Sequence, residues 1–161
     1  MAKIQDDFFE LAEMRFGWLA SHGFKSLQRE AVDADSSLFY CSILWSNTQM
    51  FVQAILEFPR PYLDVQFGML VRGVIPESDD IDHRYHLSQL VAISGDAKLA
   101  RSSGTLRGLR RSQLDEALKK SSELLQQLAS GLFAGDLSKL RDLKAYAHFV
   151  MEQSRQTYLG E

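Results

Sequence analysis

Apolar side chains recur at helical spacing at both ends of this chain and at alternating positions in its middle. From Gln5 to His22, Phe8, Leu11, Ala12, Phe16 and Leu19 stand three and four residues apart, which predicts an amphipathic helix. Asp6 and Asp7 suit its positive N-terminus, Gly23 suits a left-handed stop, and Phe24 is expected to pack back on the helix.

The pattern then changes to period two. "SLFYCSILW" (Ser37 to Trp45) reads as a central strand, being almost wholly apolar and rich in aromatic residues. In "MFVQAILEF", Met50, Val52, Ala54, Leu56 and Phe58 alternate with Phe51, Gln53, Ile55 and Glu57, after a turn at Ser46 to Gln49. "YLDVQFGMLVR" repeats this, with Leu63, Val65, Phe67, Met69 and Val71 on one face, and the "PRP" at Pro59 to Pro61 forces the turn before it. A weaker edge strand, about Leu27 to Val32, precedes them, with Asp33 to Ser37 as its turn.

"LSQLVAI" (Leu87 to Ile93) predicts a short helical element ended by Gly95. Two longer helices follow. Ser112 is the expected N-cap of the first, with Asp115 three residues on and Leu114, Leu118, Leu125, Leu128 and Leu132 on its stripe. The second is expected from Asp136, after Gly135, with Leu140, Leu143, Ala147, Val150 and Tyr158 on one side; the short link predicts an antiparallel pair.

Segregated strands and helices predict an α+β fold: an N-terminal helix, an antiparallel meander of about four strands, and two C-terminal antiparallel helices packed on the sheet. A length of 161 residues with 45% hydrophobic content fits one domain spanning 1–161. Residues 95–111 read as a mobile loop within it, carrying Gly95, Gly104, Gly108 and five cations against a single acid, Asp96.

Charge narrows the classes of function. The formal net charge is −3, far from the strong positive charge of a typical nucleic-acid binder. It is unevenly spread: residues 1–96 hold 7 Lys and Arg against 14 Asp and Glu, and residues 97–161 hold 11 against 7. An acidic N-terminus without a long apolar run argues against a secretory signal, and no run suits a membrane span, so a cytoplasmic protein without membrane contact is expected. The single Cys41 excludes an internal disulfide and fits a reducing compartment.

Candidate chemistry concentrates in "PESDDIDHRYH", where Glu77, Asp79, Asp80 and Asp82 stand beside His83 and His86. Carboxylates with an i, i+3 imidazole pair would suit zinc or iron on a helix. Ligands to complete such a set are missing elsewhere in the sequence, so a solvated connector is preferred and no metal or cofactor is expected. Cys41 lies in a dense apolar strand, where an inert thiol is expected, and the chain has neither a G-x-S-x-G elbow nor a G-K-[ST] phosphate loop. An enzyme is therefore not expected. Lys98, Arg101, Arg107, Arg110 and Arg111 could meet phosphates, but their segment has no aromatic residues on which bases could stack. On the sheet, if Val52, Leu56, Val65 and Phe67 face inward, then Phe51, Ile55, Tyr62 and Leu70 face outward among Gln53, Glu57, Asp64 and Gln66. That face suits a protein partner, or cover by the C-terminal helices or a second subunit.

"FGWLASHGF", "YLDVQFG", "YHLSQLVAI" and "LLQQLASGLFAGDLSKL" together resemble small bacterial immunity-type proteins found beside polymorphic toxins. The resemblance implies a non-catalytic protein that binds and neutralises a cognate toxin, through an acidic face where the toxin is basic. The matching partner-binding residues are Glu77, Asp79, Asp80 and Asp82, with Glu57 and Asp64, in a monomer or homodimer. The basic run from Lys98 to Arg111 departs from a uniformly acidic inhibitor. A secretion chaperone or adaptor that binds a partner segment is the alternative, although strands would then be expected between the later helices. A metal-dependent enzyme rests on the acidic stretch alone.

Overall fold

Strict alternation in the central strands divides one sheet into an apolar face, which the helices cover, and a polar one. The computed structural model describes residues 2–34, 38–96, 104–106 and 110–159. A helix, α1 (Ala2–Arg15), leads through a 3-10 turn at Gly17–His22 into the strands β1 (Lys25–Ala34), β2 (Leu38–Ser46), β3 (Met50–Phe58) and β4 (Tyr62–Met69). Then come β5 (Arg84–His86), α2 (Leu87–Ser94), β6 (Gly104–Thr105), α3 (Arg111–Phe133) and α4 (Ser138–Leu159).

The predicted α+β architecture and its four-strand antiparallel meander are both present, with β1 to β5 lying side by side in chain order. Two short strands extend it: β5 pairs with Gln66–Gly68 and β6 with Tyr62–Leu63, along the same edge of β4. At three and two residues they are too short to show alternation in sequence. Asn47 explains the β2–β3 turn, since its Oδ1 accepts the amide protons of Gln49 (2.8 Å) and Met50 (2.7 Å).

On the inner face Ile43, Val52, Ala54, Leu56 and Phe67 are wholly buried and share one core with Phe8 and Phe16 of the N-terminal segment, Leu90 of α2 and Leu118 and Leu125 of α3. Helix α1 packs on β2 and α3, and α4 packs over α2 and α3. Polar anchors pin α1 and the 3-10 turn to α3: Arg15 makes a two-pronged pair with Asp115 at 2.7 Å on each arm, and the Trp18 indole N–H donates to Ser122 Oγ at 2.8 Å.

Several expected boundaries shift. The first α-helix ends at Arg15, before the expected His22, and Gly23, at φ 79°, terminates the 3-10 turn instead. Phe24 packs on Phe133 of α3, with ring centroids 5.2 Å apart. Helix α3 begins at Arg111, and Asp115 serves Arg15, so Ser112 and Asp115 form no cap. Asp136 does cap α4, accepting the Ser138 amide proton at 3.1 Å. Val71 leaves the strand face and is 37% exposed. Asp33 and Ala34 belong to β1, and the rest of the expected turn, 35–37, lies outside the described residues. So does most of the expected mobile loop 95–111, within which Gly104–Thr105 pair with β4 and Arg111 ties to Asp7 and Glu10 of α1. No helix among the described residues is long and apolar enough to cross a membrane.

Candidate functional site

The outer face of the sheet carries side chains that the helices leave uncovered. Antiparallel register sets Tyr40 beside Glu57, Leu44 beside Gln53, Gln53 beside Gln66, and Gln66 beside His86. Because side chains alternate, these neighbours all project away from the core.

A connected polar network runs across this face. Gln53 Nε2 donates to Ser42 Oγ (3.3 Å), and Arg84 Nη1 donates to Gln53 Oε1 (3.0 Å) and Gln66 Oε1 (2.5 Å). Gln66 Nε2 donates to Asp64 Oδ2 (2.8 Å), which also meets His86 Nδ1 at 2.8 Å. Burial pushes the Arg84 guanidinium below its ordinary pKa, against the fields of Asp64, Glu77 and Asp80. The hydrogen bond to Asp64 raises His86 above its ordinary value, opposed by burial and by Arg84.

Arg84 also builds the wall of a groove. Its Nε and Nη2 donate to the Pro76 carbonyl at 3.2 and 2.9 Å, holding the 75–78 segment over the sheet. The guanidinium lies 4.8 Å from the Phe51 ring centroid, a cation–π contact that seals the ring from water. Phe51 is therefore outward as expected and yet wholly buried. Gly68 makes this closure possible: a Cβ there would lie 1.8 Å from the His83 carbonyl oxygen.

Between strap and strands runs a groove of about 520 Å³. Glu30, Glu57 and Glu77 line it with Tyr40, Ile55 and Ile75, so three carboxylates face one guanidinium that is already bound to neutral acceptors. Burial raises the Tyr40 hydroxyl pKa, aided by the charge of Glu30 and a hydrogen bond with it.

The six carboxylates singled out in the sequence thus fall into separate roles. Glu57 and Glu77 are exposed and line the groove. Asp64 is spent on His86 and Gln66. Asp79 is exposed and not part of the groove lining. Asp80 folds inward on the Asp82 and His83 amides (3.0 and 3.1 Å) and the His83 ring; burial opposes its ionisation, but these bonds outweigh it and hold its pKa below the ordinary carboxylate value. Asp82 reaches α4, meeting His148 Nε2 at 2.7 Å and Lys144 Nζ at 3.5 Å. Within the negative stretch from Glu77 to Asp82, Asp80 and Asp82 are thus paired inside the chain, whereas Glu77 and Asp79 are exposed. His83 and His86 share no helix face; they bind different carboxylates, Asp80 and Asp64. Among the described residues no three His, Cys, Asp or Glu are grouped so as to hold a metal ion. Burial drives the Cys41 thiol up to about 12, leaving it unreactive.

Arg84, Glu30 and Tyr40 escaped the sequence reading. The facing glutamines 53 and 66 were visible as outward positions of paired strands, but Arg84 joins them only through β5, which the pattern does not show. Comparison with protein-family models, with curated proteins and with solved structures finds no match to this chain.

Proposed function

We propose that this chain is a non-catalytic binding protein that receives a basic protein partner in the groove on its outer sheet face. The observation that supports it is the groove itself: a rigid polar floor, aromatic and aliphatic walls, and a carboxylate rim of Glu30, Glu57 and Glu77. Lysine or arginine side chains of a partner fit such a rim, and charge of opposite sign speeds their arrival. The resemblance to immunity-type proteins supplies the partner class, a basic toxin domain neutralised inside the producing cell. Within that reading Glu57 and Glu77 remain contact residues and Glu30 joins them, while Asp80 and Asp82 act through the fold.

Titration calorimetry of the chain with the product of the neighbouring gene, together with co-expression in cells that this product poisons, tests the proposal. Expected are one partner bound per chain and rescue of growth. A neighbouring product that neither binds nor poisons would remove the immunity reading. An adaptor would instead bind an unfolded segment of its partner, and calorimetry with the unfolded partner separates the two.

A further inference from the structure

Three of the four histidines in this chain meet a carboxylate, and all three pairs converge on the residues between the groove wall and α2. His83 Nδ1 lies 2.9 Å from Asp80 Oδ2 and closes the turn on itself. His148 Nε2 of α4 lies 2.7 Å from Asp82 Oδ1 and ties the turn to that helix. His86 Nδ1 lies 2.8 Å from Asp64 Oδ2 and ties β5 to β4. The three imidazoles are 42, 48 and 41% exposed, so protons from solvent reach each of them.

The other charges around them are constant near neutral pH. Lys144 of α4 shares Asp82 with His148 at 3.5 Å, while Arg84 lies in the field of Asp80 and opposes protonation of His86. The bond from His148 holds the Asp82 carboxyl below its ordinary value, against burial and with help from Lys144. The imidazoles are therefore the groups that change charge in this range, and a charged imidazole holds a carboxylate more strongly than a neutral one.

The turn they fasten carries one wall of the groove. The Glu77 carbonyl accepts the Asp80 amide proton at 3.1 Å, and the Asp80 carbonyl accepts that of Arg84 at 3.0 Å. Asp80 Oδ1 accepts the amide protons of Asp82 and His83. Glu77 is thus coupled to the turn, whereas Pro76 is held by Arg84, whose charge does not change.

We infer that residues 79–86 form a proton-operated clasp: with His83, His86 and His148 protonated the turn is fastened to β4 and α4 and sets Glu77 at the groove, and with them neutral the turn opens locally and frees that wall. The clasp serves the groove of the proposed function, yet it is measurable on the chain alone. A missing partner leaves the clasp standing, and a turn indifferent to pH leaves the groove standing. For His86, whose folded pKa lies above the ordinary 6.5, the fastening is complete below 6.5 and is lost as pH rises through the folded value. An exposed pair of this kind contributes about twofold to a local equilibrium, so three together change the opening on the order of tenfold.

Amide exchange of the full chain at about pH 5.5 and about pH 8, corrected for the intrinsic pH dependence of exchange, tests the clasp on the hydrogen-bonded amides of Asp80, Asp82, His83 and Arg84. Their protection in the wild type is expected to fall about tenfold from the lower pH to the higher. His148→Gln keeps an N–H donor without a titrating charge, and the fall is expected to shrink by about twofold. His148→Lys keeps a cation opposite Asp82 at both pH values, and the Asp82 and His83 amides are expected to stay better protected than in wild type at the higher pH. Equal protection of the wild type at both pH values, a rise in place of the fall, or a His148→Lys variant that opens with pH as fully as wild type would each overturn the clasp.

Discussion

The two faces of one sheet divide the labour of this molecule. Along β3, Val52, Ala54 and Leu56 face the helices and are fully buried, whereas their chain neighbours Gln53, Ile55 and Glu57 are half-buried or exposed. Helices seal the inner face with apolar contact, which has no preferred direction. Hydrogen bonds of fixed direction order the outer face, from Ser42 through Gln53, Arg84, Gln66 and Asp64 to His86. Under the proposed function, a face whose side chains are already ordered by such bonds would lose little freedom on binding.

Substitutions should separate the faces by size of effect. On the inner face, Phe67→Ala empties a site with no exposure and is expected to cost ~3–5 kcal/mol in urea unfolding. At the junction between faces, Gly68→Ala drives a methyl into the His83 carbonyl; ~2 kcal/mol is the expected loss, with β5 peeling from β4 as seen by faster amide exchange at Arg84–His86. Arg84→Met strips Gln53, Gln66 and the Pro76 carbonyl of their donor, with an expected cost of ~1–3 kcal/mol and loss of the strap that walls the groove. Arg84→Lys restores charge without the planar fork and is expected to recover stability only in part.

Rim substitutions should leave stability alone. Glu57→Gln with Glu77→Gln is expected to change unfolding by no more than ~0.5 kcal/mol while slowing association with a basic partner, most strongly at low salt, where exposed charges are least screened. The smallest effect concerns pH. His86 has a folded pKa above its ordinary 6.5, so the stability it draws from Asp64 is complete below that value and fades as pH rises through the folded pKa. Urea midpoints compared below pH 6 and above pH 8 are expected to fall for wild type and to fall less for Asp64→Asn.

The inner face was legible in the sequence because period-two and period-three-to-four apolar patterns report burial directly. The four long strands, α2 and the two closing helices follow from it. The outer face was legible only as a list of alternating positions. Its organiser, Arg84, is one cation among acids in "PESDDIDHRYH", and nothing in that string shows that three residues of it join the sheet. The partners of the acids were hidden for the same reason: their spacing does not show that Asp80 pairs with His83 and Asp82 with α4. Strand alternation exposed Phe51 in sequence, whereas Arg84 and the approach of β5 at Gly68 bury it.

The most direct test of the outer face as the proposed binding surface is Ile55→Arg, measured by calorimetry against the proposed partner, the product of the neighbouring gene. Ile55 lines the groove and lies outside the buried core, so folding is expected to survive while a cation replaces an apolar wall among the three glutamates. The account predicts an unchanged melting midpoint and binding weakened by about 100-fold or more. Wild-type affinity in a folded Ile55→Arg variant would contradict it.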